Sequence, residues 1–317
     1  MLKWKKLGQI FDPTKVKDRN WMNEYAQSAS VLILDKYVRV YFSCRPLPDT
    51  AGQYVSYLGY VDLDKNNLSV VKSISKEPIL ELGELGTFDE FGTNPASVIR
   101  VANDVRIYYC GWTRCESVPF NSAIGMAESS DGGKTFIKLG KGPVLSYSPD
   151  EPFLLGSPKI RRFNDTWYLW YAVGSKWIEN NGRPEPVYKI RMASSQDGKN
   201  WTKEGRNLVE AKLEEDECQA SADVFFYNGK YHMLFSYRYS LGYRSTEKGY
   251  RIGYCSSDDM MHWTRDDSKA GITISEEGWD SEMISYSHTF ELNNNIYMLY
   301  QGNHFGKFGF GLAILQD

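Results

Sequence analysis

Five times in this chain of 317 residues, two apolar-alternating runs are separated by a short polar pair, and nothing else in the sequence constrains the fold as tightly. The clearest copies are NPASVIRVANDVRIYYC (94–110), broken at Asn103-Asp104, SPKIRRFNDTWYLWY (157–171), broken at Asn164-Asp165, and SADVFFYNGKYHMLFS (221–236), broken at Asn228-Gly229. Period-two alternation interrupted by Asn-Asp or Asn-Gly is a hairpin signal. SASVLILDKYVRVYFS (28–43) and SHTFELNNNIYMLYQ (287–301) are weaker copies, with turns at Asp35-Lys36 and Asn294-Asn295. With Val31, Ile99, Ile160, Val224 and Phe290 as equivalent anchors, the copies recur every 68, 61, 64 and 66 residues.

Each copy continues into a third strand: YLGYVDL (57–63), AIGMAES (123–129), KIRMASS (189–195), RIGYCSS (251–257) and FGLAIL (310–315). In copies two to four this strand runs into a Ser/Asp/Gly turn and an aromatic that opens a fourth strand: SSDGGKTF, SSQDGKNW and SSDDMMHW. A four-stranded antiparallel unit repeated five times predicts an all-β fold, a five-bladed β-propeller formed by residues 1–317 as one domain. The fifth copy lacks a fourth strand, and LKWKKLG (2–8) shares the aromatic-x-Lys-x-Gly pattern of FIKLG (136–140). The N-terminal strand is therefore expected to complete blade five and close the ring, which removes exposed edges.

Strands A to D of each blade leave loops alternately on two faces. The A–B and C–D turns are short, whereas the B–C connections (44–56, 111–122, 172–188 and 237–250) are long, and long loops on a rigid scaffold carry function. Residues leading into strand A on that same face are acidic: Asn23-Glu24, Asp89-Glu90, Asp150-Glu151, Asp216-Glu217 and Asp280-x-Glu282. The ends of strand B add Arg45, Trp112, Arg114, Lys176 beside Trp177, Arg238 and His304, with His288 inside strand A of blade five. Acids, cations and aromatics around one funnel suit a polyhydroxylated or anionic ligand. The Ser/Asp turns fall on the opposite face and read as staples, with Asp258 or Asp259 bonding local backbone and Trp263 packing between blades.

With these residues in place, the chain resembles the five-bladed propeller glycosidases: the arabinanase/β-xylosidase, invertase/levansucrase and mannoside-phosphorylase families. The carriers are SSDDMMHW after strand C, Trp21-Met22-Asn23-Glu24 in blade one, Asn94-Pro95 in blade two and Glu217-Cys218. The chain departs from those families in having Glu rather than Asp in blade one and Asn94 where they place an acid. Its Glu-Cys pair is in blade four, whereas the families' acid is in blade three, where Glu151 is nearest. The resemblance implies carboxyl groups flanking a glycosidic bond, with Glu24 or Glu90 as base or nucleophile and Glu151 or Glu217 as a proton donor of raised pKa. Arg45, Asn94, Trp112, Arg114, Lys176, Arg238, His288 and His304 are the substrate-binding candidates.

Three functions compete on this reading. They are glycoside hydrolysis, transfer to or from phosphate or a phosphate-linked sugar, and carbohydrate binding without catalysis. Hydrolysis is the leading expectation; the phosphate route needs one protein acid plus cations such as Arg45, Arg114, Lys176, Arg238 and Arg244. No cofactor is implied, although a divalent ion in the channel, with His288 as a ligand, is a feature of some of these propellers. The net charge of −3 gives no electrostatic basis for binding nucleic acid. Five scattered cysteines point to reduced thiols, and with no apolar run of membrane length the expectation is a cytoplasmic protein.

Overall fold

The computed structural model describes residues 1–316, with only the backbone described at 95 and 96. Twenty strands form five antiparallel four-stranded sheets. In chain order the A, B, C and D strands of blade one are Glu24–Ile33, Tyr37–Arg45, Tyr57–Asp64 and Asn67–Ile74. Those of blade two are Gly92–Val101, Asp104–Thr113, Asn121–Ser129 and Ile137–Lys138. Blade three has Leu155–Phe163, Thr166–Asn180, Arg183–Ser195 and Thr202–Lys203. Blade four has Cys218–Tyr227, Lys230–Arg238, Arg251–Ser257 and Thr264–Arg265. Blade five takes Ser285–Leu292, Asn295–Gln301 and Phe310–Leu315 from the end of the chain and Trp4–Phe11 from its beginning. That first strand pairs antiparallel with Phe310–Leu315, so the ring closes as the aromatic-x-Lys-x-Gly match implies.

The ladders correct the anchors by one residue in two blades. Val31, Ile160 and Val224 face Val40, Leu169 and Met233, and their equivalents are Val98 opposite Ile107 and Thr289 opposite Met298. The true spacings are 67, 62, 64 and 65 residues, more even than the sequence pattern indicates. The same slip moves two turns, to 102–103 and 293–294. Runs such as Ala102-Asn103-Asp104 and three consecutive asparagines offer polar residues in two registers, and alternation alone does not choose between them. The 172–188 segment is also not a loop: strands B and C of blade three pair continuously out to Asn180 and Arg183, forming a hairpin that projects from the mouth.

The apolar core is divided into five clusters, one per junction between blades. The junction of blades five and one packs Phe11, Phe42, Phe290 and Phe310, and that of four and five packs Leu2, Trp4, Ile252 and Met298. The Ser/Asp turns are the staples the sequence implied. Asp259 Oδ1 accepts from the backbone N–H groups of Met261 and His262 at 2.8 Å, and Asp131 and Asp197 do the same in their turns. Tyr41 and Tyr108 donate hydroxyls to Gly133 O and Gly198 O of the following blade, both at 2.7 Å, and Trp263 lies in the core between blades three and four.

Candidate functional site

Every strand A is broken at the same level by a β-bulge, seen as a register shift between Gln27 and Ser30, Asn94 and Ala96, Gly156 and Lys159, Ala220 and Asp223, and Ser285 and His288. Four of the bulges hold a non-glycine residue at positive φ: Ser28 (51°), Ser157 (49°), Ser221 (56°) and Tyr286 (54°). Such conformations are strained for L-residues and concentrate where backbone must be re-aimed at a site. Around them opens a cavity of about 210 Å³, lined by Gln27, Ser28, Arg45, Asn94, Ser157, Tyr188, Tyr250 and Tyr286 among others. These residues lie on the face of the strand A starts and B–C connections, opposite the Ser/Asp turns.

The lining contains a single charged side chain, Arg45, and no carboxylate. The Arg45 guanidinium lies 4.5 Å from the Tyr25 ring centroid and 5.4 Å from that of Tyr54, and its Nε is buried without a hydrogen-bond partner. Asn94 Oδ1 and Ser28 Oγ are likewise buried and unpartnered. Unmet donors and acceptors around one hollow are costly unless a ligand completes them.

Of the twelve candidate residues, the structure brings Arg45 and Asn94 into the cavity wall. Glu24 starts strand A opposite Arg45, with Lys307 Nζ 2.9 Å and the Tyr54 hydroxyl 3.4 Å from its carboxylate. The other acids serve the fold. Glu90 accepts from Gly86 N–H at 2.9 Å within its own loop. Glu151 is buried against Lys203 at 2.5 Å, Arg191 at 3.2 Å and the Tyr171 hydroxyl at 2.9 Å. Glu217 accepts from Arg265 at 2.6 Å, Gln219 and the Lys212 and Leu213 amides. Burial pushes the Glu217 carboxyl up, but the Arg265 and Gln219 hydrogen bonds outweigh it and hold it below its ordinary range. That is the opposite of the raised pKa expected of a proton donor.

The remaining candidates surround the cavity. Arg114 donates to Tyr54 O at 3.0 Å and stacks 4.2 Å from the Phe91 ring, while Trp112 donates to Ser56 Oγ at 2.7 Å. Lys176 pairs with Asp216 on the projecting hairpin at 2.8 Å. His304 is exposed, 3.9 Å from Glu282. Arg238 is buried behind Tyr188, to whose hydroxyl its Nε donates at 3.1 Å. His288 lies deeper, in the channel, where its Nε2 accepts from Val31 N–H at 3.1 Å. Its neighbours are Asp223 at 3.6 Å, Lys159 and Arg161. Two cations beside one acid do not fit a divalent ion, and among the described residues no three His, Cys, Asp or Glu side chains group to hold one.

Sequence reasoning missed Gln27, Ser28, Ser157, Tyr188, Tyr250 and Tyr286, because it searched for acids and cations outside the strands. A signal was present: serine recurs at 28, 157, 221 and 287, the first residue of four of the five repeats.

No family model matches the chain. It is 31% identical over 319 residues to the uncharacterized protein Rv1502 of Mycobacterium tuberculosis (strain ATCC 25618 / H37Rv), with 99% of each chain covered. The chain belongs to the family of that mycobacterial protein. It is also 26% identical over 169 residues to the beta-1,2-mannobiose phosphorylase of Thermoanaerobacter sp. (strain X514), covering 50% of this chain and 51% of that one. Among solved structures, a beta-1,2-mannobiose phosphorylase from Listeria innocua superposes with a TM-score of 0.71 at 12% identity, covering 99% of this chain and 96% of that one. A thermostable family-43 glycoside hydrolase gives 0.67 at 14% identity, covering 92% and 88%. The GH32 beta-fructofuranosidase BmSUC1 of Bombyx mori gives 0.62 at 17% identity, covering 91% and 61%. The fold is that of the five-bladed propeller glycoside hydrolases and mannoside phosphorylases.

Proposed function

We propose that this chain is a glycan-active enzyme that transfers a glycosyl group to or from phosphate at the cavity ringed by Arg45, Asn94 and the strand A bulges. The observation that carries the reading is the charge of the wall. Hydrolysis by the mechanism of these folds needs two carboxyl groups across the glycosidic bond. The cavity lining offers none, and offers instead a guanidinium whose Nε has no hydrogen-bond partner and which forms no ion pair among the described residues. Phosphorolysis replaces the attacking water with phosphate, which a free arginine suits, and leaves one proton to be supplied to the departing oxygen. Glu24, opposite the lining residue Arg45 in its ladder and coupled to Lys307, is assigned that task. The resemblance to mannobiose phosphorylases supports the substrate class.

The five cysteines are free, which suits a reducing compartment, and a phosphorylated product is retained in the cytoplasm. The test is to incubate the purified chain with β-1,2-mannobiose and a panel of aryl glycosides, with and without inorganic phosphate. Sugar phosphate formed only when phosphate is present is the expected result. Free sugar released equally fast without phosphate overturns the reading.

A further inference from the structure

The cavity wall opposite Arg45 is made of hydroxyls. Tyr188, Tyr250 and Tyr286 come from strand C of blade three, the approach to strand C of blade four and the bulge of blade five, and all three line the cavity. The Tyr188 and Tyr250 hydroxyls are in close hydrogen-bond contact, and the Tyr286 ring packs on that of Tyr250 with centroids 5.4 Å apart. Behind them Arg238 is 2% exposed, with Nε donating to the Tyr188 hydroxyl at 3.1 Å. Its other contacts are the Tyr239 and Ser240 carbonyls at 2.8 and 3.1 Å and the Tyr243 ring face at 3.6 Å. Among the described residues no carboxylate neutralises it.

The protons can be counted. Three phenols carry three, and the Tyr188–Tyr250 bond uses one. The Arg238 bond occupies a lone pair on Tyr188 and adds a proton from behind without consuming one. Two phenolic O–H groups are therefore left over, with no protein acceptor among the described residues, in a cluster backed by a buried positive charge. Holding Tyr286 at a φ of 54°, where a bulky residue is rare, keeps its ring in this cluster.

We infer that the Tyr188–Tyr250–Tyr286 cluster backed by Arg238 is a second anion subsite, which donates a hydrogen bond to a negatively charged oxygen of the ligand. The ligand chemistry is a phosphoryl or carboxylate group on or beside a sugar, held between this cluster and Arg45. A neutral donor polarised by a buried cation stabilises an oxyanion without competing for its proton. The inference rests on the proposed glycan activity for its ligand class, but its own test needs only binding.

Inorganic phosphate, glucuronic acid and glucose are titrated calorimetrically into the wild-type chain and into Tyr188→Phe, Tyr250→Phe and Arg45→Met, with circular dichroism to confirm folding. Phosphate against glucuronic acid separates the two sources of anionic oxygen, and glucose is the neutral control. The expected result is binding of at least one anion by the wild type, weakened about tenfold or more in each Tyr→Phe variant, with glucose unaffected. Unchanged anion affinity in both Tyr→Phe variants, or no binding of either anion by the wild type, overturns the subsite. If Arg45→Met loses phosphate while the Tyr→Phe variants keep it, the hydroxyl cluster falls and the proposed function stands. If the wild type hydrolyses glycosides without phosphate yet the Tyr→Phe variants lose glucuronic acid, the proposed function falls and the subsite stands.

Discussion

Lys138 Nζ sits 2.6 Å from Asp89 Oδ2, which joins the outermost strand of blade two to the residues leading into its innermost one. The same contact recurs as Lys203 with Glu151, Arg265 with Glu217 and Lys6 with Asp280. A strand B tyrosine donates to the acid in three of these blades: Tyr109 to Asp89, Tyr171 to Glu151 and Tyr300 to Asp280. Lys138, Lys203 and Lys6 are the lysines of aromatic-x-Lys-x-Gly stretches, and Arg265 takes the same place two residues after Trp263, so these cations and the acids before strand A are two halves of one staple. Blade one fills the position with fully buried Met22 and Phe42.

Removing one half of such a pair strands the other in the core. Glu217→Ala removes the closer of two carboxylates on the buried Arg265 guanidinium, Asp267 remaining at 2.9 Å, and is expected to lower stability by about 1.5–3 kcal/mol. The double change Glu217→Met with Arg265→Met is expected to cost less, since the only charge it leaves without Arg265 is the part-exposed Asp267. Thermal and urea unfolding of the three variants measure this. Retained activity per folded molecule in Glu217→Ala, below its transition, would confirm that the residue serves the blade and not the chemistry.

The N-terminal strand makes a second prediction. It pairs with Phe310–Leu315 and brings Trp4 and Phe11, which are buried, into the two junctions of blade five. Deleting residues 1–11 bares the edge of Phe310–Leu315 and opens both junctions, a recipe for edge-to-edge association. Size-exclusion chromatography should show larger species than the full chain forms, and a peptide of residues 1–11 added in trans should restore the elution of the full chain.

The architecture was legible because hairpin turns and alternation are local, and five copies average out the ambiguity of any one. Register at Val98 and Thr289 was not, since adjacent apolar and polar residues there satisfy either phase. The face of the mouth was legible from loop length. The wall was not, because an acid leading into a strand looks the same whether it meets solvent, substrate or a cation folded over from strand D. Glu151 and Glu217 are of the last kind. Tyr188, Tyr250 and Tyr286 escaped notice for the converse reason: inside strands, or one residue from one, an aromatic reads as packing until a cavity is seen beside it.

Glu24 differs from the other acids in facing the mouth, with Lys307 and Tyr54 as its only side-chain partners among the described residues. Glu24→Gln keeps the shape and removes the charge, and is expected to lower turnover at least about 100-fold while leaving KM nearly unchanged. Lys307→Met should lower turnover less and alter its pH profile, since the hydrogen bond to Glu24 raises the Lys307 ammonium above its ordinary pKa. Steady-state kinetics across pH check both. Wild-type turnover in Glu24→Gln would remove the residue from the mechanism.

The channel cluster sets a pH dependence that can be worked out in sign. Burial brings Lys159 down from 10.5 to about 8, opposed by Asp223 and assisted by Arg161. Between those values the unfolded chain holds the proton that the folded chain has released, so stability rises with pH across that window and is lower by about 3 kcal/mol below it. Burial, followed by the charge of Lys159, also pushes His288 well below its ordinary 6.5. Below pH 6.5 the unfolded chain takes up a proton that the folded chain refuses, so this contribution is lost as pH falls. Lys159→Met should raise stability at neutral pH, because Asp223 keeps Arg161 at 2.6 Å and the Thr289 hydroxyl at 2.6 Å. It should also flatten the alkaline rise and shrink the acid loss, since His288, relieved of a neighbouring cation, titrates closer to its ordinary 6.5 in the folded chain. Urea unfolding from pH 5 to 10.5 on both proteins reads all three effects, and parallel curves would show that Lys159 keeps its proton throughout.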